Sequence, residues 1–409
     1  MADIIAINNT FKMKNRPIYI ERVKNYMYQN IIKVLVGQRR VGKSTLLMQI
    51  AELVKTEKPS ANIIYINKED LAFDSLLTYI DLVKYVEEKM IPEQDNFLFI
   101  DEIQDITDFE KALRHFQVKN NWDIYITGSN AKLLSGELAT YLSGRYIEIK
   151  IHTLSYTEFL DFHNLEDNNA GLQKYIRYGG LPFLMNLKLE DNIVFDYLKN
   201  IYAAILYKDI IARHNIRNVG FLDKLTLYLA DNTGNIVSAK NINEFLKSQK
   251  VNISHNLILD YLNFLCEAFF LFKAKRNDLK GKRILEFGEK YYFEDLGIRH
   301  SIGGYKNDDI GKIIENAVFL HLHINGYNVT VGKLNELEID FVAEKAGTRL
   351  YVQVAFTIPD QKTREREFGN MLLIKDNFRK IVVSLDEIQV NSFEGIEHIY
   401  LRKFLTETF

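Results

Sequence analysis

GQRRVGKS, Gly37–Ser44, decides how this chain is read. Its spacing is G-x-x-x-x-G-K-[ST], the pattern of a phosphate-cradling loop. An apolar run, Ile31–Val36, enters it as a buried strand, and Thr45–Leu53 leaves it as a helix. Gly37 and Gly42 let the backbone curl so that its N–H groups converge on phosphate oxygens. The helix that starts there adds the positive end of its dipole. Lys43 is expected to reach the β- and γ-phosphates, and Ser44 offers a hydroxyl to Mg²⁺. The whole stretch Gly37, Gln38, Arg39, Arg40, Val41, Gly42, Lys43, Ser44 and Thr45 is thus the candidate nucleotide contact.

Downstream, Ala61–Asn67 reads as a second parallel strand, and Leu76–Lys89 has helical spacing. Asn96–Gln104 then runs apolar into Asp101-Glu102. Asp101, at a strand's carboxyl end, is placed to hold Mg²⁺ directly or through water. Glu102 is placed to polarise an attacking water as a general base. The plainer alternative is a buried strand ending in two acids at a helix start, where acids are favoured anyway. Phe109–Asn120 reads as a helix, and Trp122–Asn130 as a strand with a small polar end. Thr127, Ser129 and Asn130 are candidates to sense a γ-phosphate, with Asn130 foremost; a capped turn is the alternative. A helix is expected over Leu133–Leu142 and a strand over Tyr146–Ile151. Arg145 between them is a candidate for a γ-phosphate contact, on its own chain or a neighbour's, or else a solvated turn arginine. Upstream, Pro17–Ile20 reads as a strand-like lead into a short helix.

The composition allows this reading and narrows the rest. With 409 residues, two or three domains are expected; 47% hydrophobic and 26% charged residues fit a globular chain. The formal net charge of −2 makes no global demand for nucleic acid. A single cysteine, Cys266, rules out an internal disulfide, and no signal peptide is evident, so a cytoplasmic location is expected. No uncharged run approaches the ~18 residues of a membrane span.

Taken in order, GQRRVGKS, FLFIDEIQ, ITGSNAKLL and LSGRYIEIKIHTLSYTEF resemble a subfamily of bacterial and archaeal ATPases of the AAA superfamily. The resemblance covers most of the chain. It implies an α/β fold: a parallel sheet with the acid-bearing strand beside the P-loop strand and helices on both faces. It also implies ATP and Mg²⁺ as ligands, and nucleotide-driven motion acting on a partner, DNA or protein. The part played by Arg145 depends on whether copies assemble into a homo-oligomer.

The expected division is a P-loop ATPase domain over 1–153, a helical lid over 154–220, a winged-helix-like region over 221–305 and a last domain over 306–409. Ser155 and Glu158 form a capping box, and Gly179-Gly180 ends a helix. Ile201–His214 reads as an amphipathic helix. Helices over Phe221–Asn232, Ala239–Gln249 and His255–Ala268 precede a hairpin, Phe269–Ala274 with Lys282–Phe287. The last of these helices carries no Lys or Arg, whereas the hairpin tip, Lys275–Arg283, is basic; protein packing is favoured over DNA for this unit. Tyr291–Arg299 resembles a KYYF-x-D-x-G segment of the same family.

The final stretch alternates a helix with strands and resembles the restriction-endonuclease fold. In the active form of that fold a helix Glu, an Asp and a Glu/Gln-x-Lys act around Mg²⁺. Glu315, Asp340 and Gln353 fall on the matching positions, but Ala355 stands where the lysine belongs. Lys362 and Lys375 are nearby in sequence, and nothing in the spacing requires either. The expectation is a degenerate, non-cutting domain, with an ATP-gated nuclease or a non-hydrolysing switch as alternatives.

Overall fold

The computed structural model describes residues 14–119, 121–131, 142, 144–248, 253–281, 283–387 and 392–408. Apart from Leu142, the helix expected over Leu133–Leu142 lies outside them. The chain divides into two compact units, 1–152 with 267–269, and 153–266 with 270–409.

The first unit contains α1 (Pro17–Lys24), β1 (Ile32–Val36), α2 (Lys43–Glu57), β2 (Asn62–Asn67), α3 (Tyr79–Glu88), β3 (Asn96–Asp101), α4 (Phe109–Lys119), β4 (Trp122–Gly128) and β5 (Tyr146–Lys150). The five strands form one sheet in the order β2-β3-β4-β1-β5, and every pairing is parallel. Each parallel step needs a crossover, which the helices supply while flanking the sheet. Every residue of β1, β3 and β4 is buried, which is why these strands read as near-continuous apolar runs. Leu35, Phe99 and Tyr125 pack with Leu46, Leu47, Ile50 and Val54 of α2 and with Tyr19 and Val23 of α1.

Two expectations are corrected here. The acid-bearing strand β3 is not beside the P-loop strand β1, because β4 is inserted between them. Strand order is set by long-range pairing and leaves no trace in the local pattern. Pro17–Ile20 is not extended: Pro17 opens α1, where its fixed φ suits a first helical turn and its missing N–H is not needed.

The second unit begins with α5 (Tyr156–His163), α6 (Asn169–Tyr178) and α7 (Asp191–Ala204). The Ser155/Glu158 capping box forms in both directions. Gly179 ends α6 at φ +76°, and a Cβ there would stand 2.4 Å from the Asp295 carboxylate that accepts the Gly180 N–H. Beyond α7 the helix expected through His214 widens into a π-helix, Ile205–Ala212. There follow α8 (Val219–Asp231), β6 (Ile236–Val237), α9 (Ala239–Ser248), α10 (His255–Glu267), β7 (Leu271–Asp278), β8 (Arg283–Phe293), α11 (Leu296–Gly303) and α12 (Ile310–Ile324). The rest is β9 (Asn328–Leu334), β10 (Leu337–Lys345), β11 (Thr348–Val354), α13 (Gln361–Leu372), β12 (Arg379–Ser384), β13 (Ser392–Phe393), β14 (Ile396–Tyr400) and α14 (Leu401–Phe404).

The hairpin β7–β8 does not stand apart as a wing. Arg276–Asp278 pair in parallel with Val331–Lys333, so one nine-stranded sheet runs β13-β14-β12-β11-β10-β9-β7-β8-β6. Helix α12, apolar on most of its surface, is buried in the same core as Phe159, Tyr175, Tyr292, Phe341 and Phe404. No helix among the described residues is long and apolar enough to cross a membrane.

Two buried imidazoles make this unit sensitive to acid. Burial, with the Arg299 charge beside it, lowers the His300 pKa to about 3; burial lowers that of His321 to about 4. An unfolded imidazole takes its proton near pH 6.5, so between there and pH 4 the unfolded chain binds more protons than the folded one. The imidazoles' contribution to stability is therefore full above pH 6.5 and falls as pH drops toward 4, by about 1–2 kcal/mol for each imidazole at pH 5. Asp340, pushed up to about 7 by burial and by Glu315, acts in the opposite direction over the same window. The measurable quantity is thus a difference: the loss in melting temperature from pH 7 to pH 5 should be smaller in His321→Asn than in the wild type. An equal loss in both would show that His321 is not the titrating group.

Candidate functional site

The carboxyl ends of β1, β3 and β4 lie at one edge of the parallel sheet. Val36 is level with Gly128, and Ile100 with Ile126, so the segments that follow meet there. This is the edge at which open α/β sheets bind ligands.

The loop after β1 has the backbone its glycines suggest. Gly37 has φ +154°, and a Cβ on it would lie 2.1 Å from the Ile151 carbonyl oxygen. Gly42 caps α2 at φ +96°, and Arg40 is also left-handed at +70°. Lys43, buried beneath the loop, donates to the Gly37 and Gln38 carbonyls at 3.0 Å each. Gln38 is 1% exposed, and neither polar atom of its amide has a hydrogen-bond partner among the described residues. A cradle that admits no side chain at its first glycine, with a lysine inside it and an orphaned buried amide on its wall, fits a polyanionic phosphate chain. Arg16 braces the loop from outside. Its Nη1 donates to the carbonyls of Val41 at 3.0 Å and His152 at 2.8 Å, while its guanidinium lies 4.5 Å from the Tyr19 ring. Nothing local in the sequence marks Arg16 for this part, because its contacts are 25 and 136 residues away.

The acids are held by β4. Thr127 is central: its hydroxyl donates to the Asp101 carboxylate and accepts the Glu102 N–H at 2.9 Å. Ser44 also hydrogen-bonds Asp101, so the two residues expected to hold Mg²⁺ are in contact. Burial raises the Asp101 pKa, and the Thr127 and Ser44 hydroxyls oppose that shift. Such an oxygen pair fits a hard divalent cation. Glu102, 7% exposed, sits at φ +55°, a conformation in which a non-glycine residue is strained. Its carboxylate accepts from the Gln104 amide and, at 3.3 Å, from the Ser129 hydroxyl. Asn130 is buried beside them, at the next position along the chain. Because β4 is inserted between β1 and β3, its polar end lies next to the acids and contacts them directly.

Arg145 is elsewhere. It is exposed and precedes β5, whose first residue, Tyr146, pairs with Ile32 at the opening of β1. Its carbonyl accepts from the Ile32 N–H at 3.0 Å. The P-loop begins at the other end of β1, about 13–17 Å away at ~3.3 Å per residue. The expectation that Arg145 reaches a phosphate held by its own chain is therefore corrected.

In the second unit, Glu315 on α12 and Asp340 on β10 come together around one ammonium. The Gln353 amide is turned to other work. Its oxygen accepts the Asp340 N–H, and its nitrogen donates to Glu367, both at 3.3 Å. The cation beside the acids is neither Lys362 nor Lys375 but Lys290, on β8. Burial disfavours its charge, but Glu315, Asp340 and Glu338 override this and hold its pKa above the ordinary range.

Comparison with known proteins places these features in context. Residues 29–160 match the model of an AAA domain, and residues 169–309 match a domain of unknown function (DUF8612). A protein of Haemophilus influenzae, uncharacterized, is 39% identical over 97% of this chain and 99% of its own length. An uncharacterized protein of Methanocaldococcus jannaschii is 32% identical over 97% and 89%. Among solved structures, a Walker-type ATPase of Pyrococcus abyssi is similar with a TM-score of 0.48 at 15% identity, over 71% of this chain and 95% of that one.

Proposed function

We propose, for a chain that belongs to one family with its Haemophilus influenzae and Methanocaldococcus jannaschii relatives and whose residues 29–160 match an AAA domain, that it binds ATP with Mg²⁺ and hydrolyses it. The hydrolysis drives a conformational change that acts on a partner. The observation carrying this reading is the Thr127 bridge, which fixes Asp101 and Glu102 together at the edge where the P-loop opens.

In this reading the backbone N–H groups of Gly37–Lys43 and the α2 N-terminus hold the phosphates. The Lys43 ammonium leaves the carbonyls of Gly37 and Gln38 for the β- and γ-phosphate oxygens. Ser44 and Asp101 hold Mg²⁺, which supplies charge neutralisation at the transferred phosphoryl group. Glu102 takes the proton of the attacking water, positioned by its left-handed backbone, Gln104 and Ser129. Asn130 is proposed to report the γ-phosphate to β4. The first assay is Mg-ATP turnover by the full chain, with and without duplex DNA. Stimulation by DNA would make DNA the partner, and indifference would point to a protein. Bound but unhydrolysed ATP would leave a switch and overturn the enzymatic reading.

Arg145, on the far side of the sheet from its own P-loop, is proposed to serve the site of a neighbouring copy. Two defective variants should then rescue each other. Arg145→Ala retains its own P-loop and Lys43→Ala its own arginine, so a mixture should recover turnover that neither has alone. A mixture no more active than the sum of its parts, with assembly verified, would exclude the exchange. Residues 306–409 are proposed to be a degenerate, non-cutting relative of the restriction-endonuclease fold.

A further inference from the structure

We propose that Lys290 is the resident cation of the acid cluster in the second unit: its ammonium is held where Glu315, Glu338 and Asp340 converge, and it keeps divalent metal out. The inference is independent of the nucleotide reading, since all the groups involved belong to residues 234–354.

Three carboxylates face one ammonium. Lys290 Nζ is 2.8 Å from Glu338, 3.0 Å from Glu315 and 3.6 Å from Asp340. The lysine side chain is 4% exposed, against 16% for Glu315 and 11% for Asp340, so the cation is the most deeply enclosed member of the cluster. Its position is fixed from several sides. Tyr292, two residues on and on the same face of β8, donates to Glu315 at 2.7 Å. The Val354 N–H donates to the second Asp340 oxygen at 2.8 Å. On the remaining side, a Cβ on Gly234 would already lie 3.1 Å from the Glu315 carboxylate, so the chain passes close there.

The cluster is assembled by tertiary structure. In the sheet β8 and β10 are separated by β7 and β9, so Lys290 is not a cross-strand neighbour of the acids. The β9–β10 register shifts between Ile339 and Val342, the segment that carries Asp340. Glu338 and Asp340, two residues apart, then share a face of β10. A Mg²⁺ ion there would need oxygen ligands at ~2.0–2.1 Å in octahedral array, with several waters kept. The ammonium stands in that space and satisfies the same oxygens. Among the described residues, no group of three or more acids, histidines and cysteines is arranged to hold a metal. Removing the ammonium alone would leave three carboxylates facing one another, a strong demand for a replacement cation.

The test is Mn²⁺ binding to the full chain without nucleotide, followed by electron paramagnetic resonance of free Mn²⁺. We expect the wild type to show no Mn²⁺ site that Asp340→Asn removes. Lys290→Met should gain one, at least tenfold tighter than any wild-type binding, and Lys290→Met/Asp340→Asn should lose it. Lys290→Gln provides a second cation-free variant should the methionine impair folding, which far-ultraviolet circular dichroism would reveal. The proposal is overturned if folded cation-free variants gain no site. It is equally overturned if the wild type binds one Mn²⁺ through Asp340, or if it nicks supercoiled plasmid with Mn²⁺ and loses that activity in Lys290→Gln. The last result would make Lys290 the lysine of a working nuclease.

Discussion

Glu102→Gln should lower Mg-ATP turnover about 10²–10⁴-fold, the range expected for removing a positioned general base. ATP affinity should stay within about threefold, since the P-loop, Lys43, Ser44 and Asp101 are untouched. The substitution is conservative in shape. It leaves an oxygen for Ser129 and the same backbone N–H for Thr127, and it asks for the same left-handed conformation. What it removes is the ability to take a proton. Turnover and binding must be measured together, by phosphate release and by titration with a fluorescent ATP analogue. Loss of both would mean that Glu102 supports the loop rather than the chemistry. Unchanged turnover would assign the base to another group, whatever the strain at residue 102 is for.

Asp123→Ala should destabilise the first unit by about 3–5 kcal/mol, as expected when a buried ion pair loses one member. Lys33, on β1, has a fully buried side chain whose ammonium meets Asp123 on β4, donates to the Gln29 carbonyl at 3.0 Å and lies 4.9 Å from the Tyr125 ring. Burial lowers the Lys33 pKa, and the Asp123 charge opposes that shift. Without Asp123 the ammonium is left buried and uncompensated. The reverse change should cost less. In Lys33→Met the carboxylate keeps two donors, the Tyr28 N–H and the Tyr125 hydroxyl, both at 2.9 Å. The single tryptophan, Trp122, is buried next to Asp123, so its fluorescence in guanidinium reports on this unit. Equal costs for the two substitutions would contradict the asymmetry. The pair lies at the amino end of the strands, so nucleotide affinity of the folded variants should not change.

Much of the first unit was legible because local sequence carries local physics. A strand buried on both faces is apolar along most of its length, and Val34–Val36, Phe97–Ile100 and Ile124–Ile126 are such runs. A loop that wraps an anion needs glycines at positive φ and a lysine, and Gly37, Gly42 and Lys43 supply them at fixed spacing. The Ser155/Glu158 box was readable for the same reason, since both partners lie within one helical turn.

The parts that were not legible involve distant partners. The order of strands placed β4 beside β3, and so gave Thr127, one of three candidates in the sequence and not the foremost, its two hydrogen bonds. Arg145 was a candidate for a γ-phosphate contact on its own chain or a neighbour's, yet parallel pairing places it at the opposite end of the sheet from its own P-loop. In the second unit, Ala355 marked the loss of a lysine, but no spacing rule led from there to Lys290, 65 residues upstream in sequence and four strands away in the sheet. The strand–loop–helix around Gly37–Ser44 and the acid pair that ends a buried strand could be read directly, because both are written in neighbouring residues. Which hydroxyl holds those acids, which arginine is out of reach and which lysine sits among the second set of acids emerged only from the folded chain, because each depends on how strands distant in sequence are ordered and aimed.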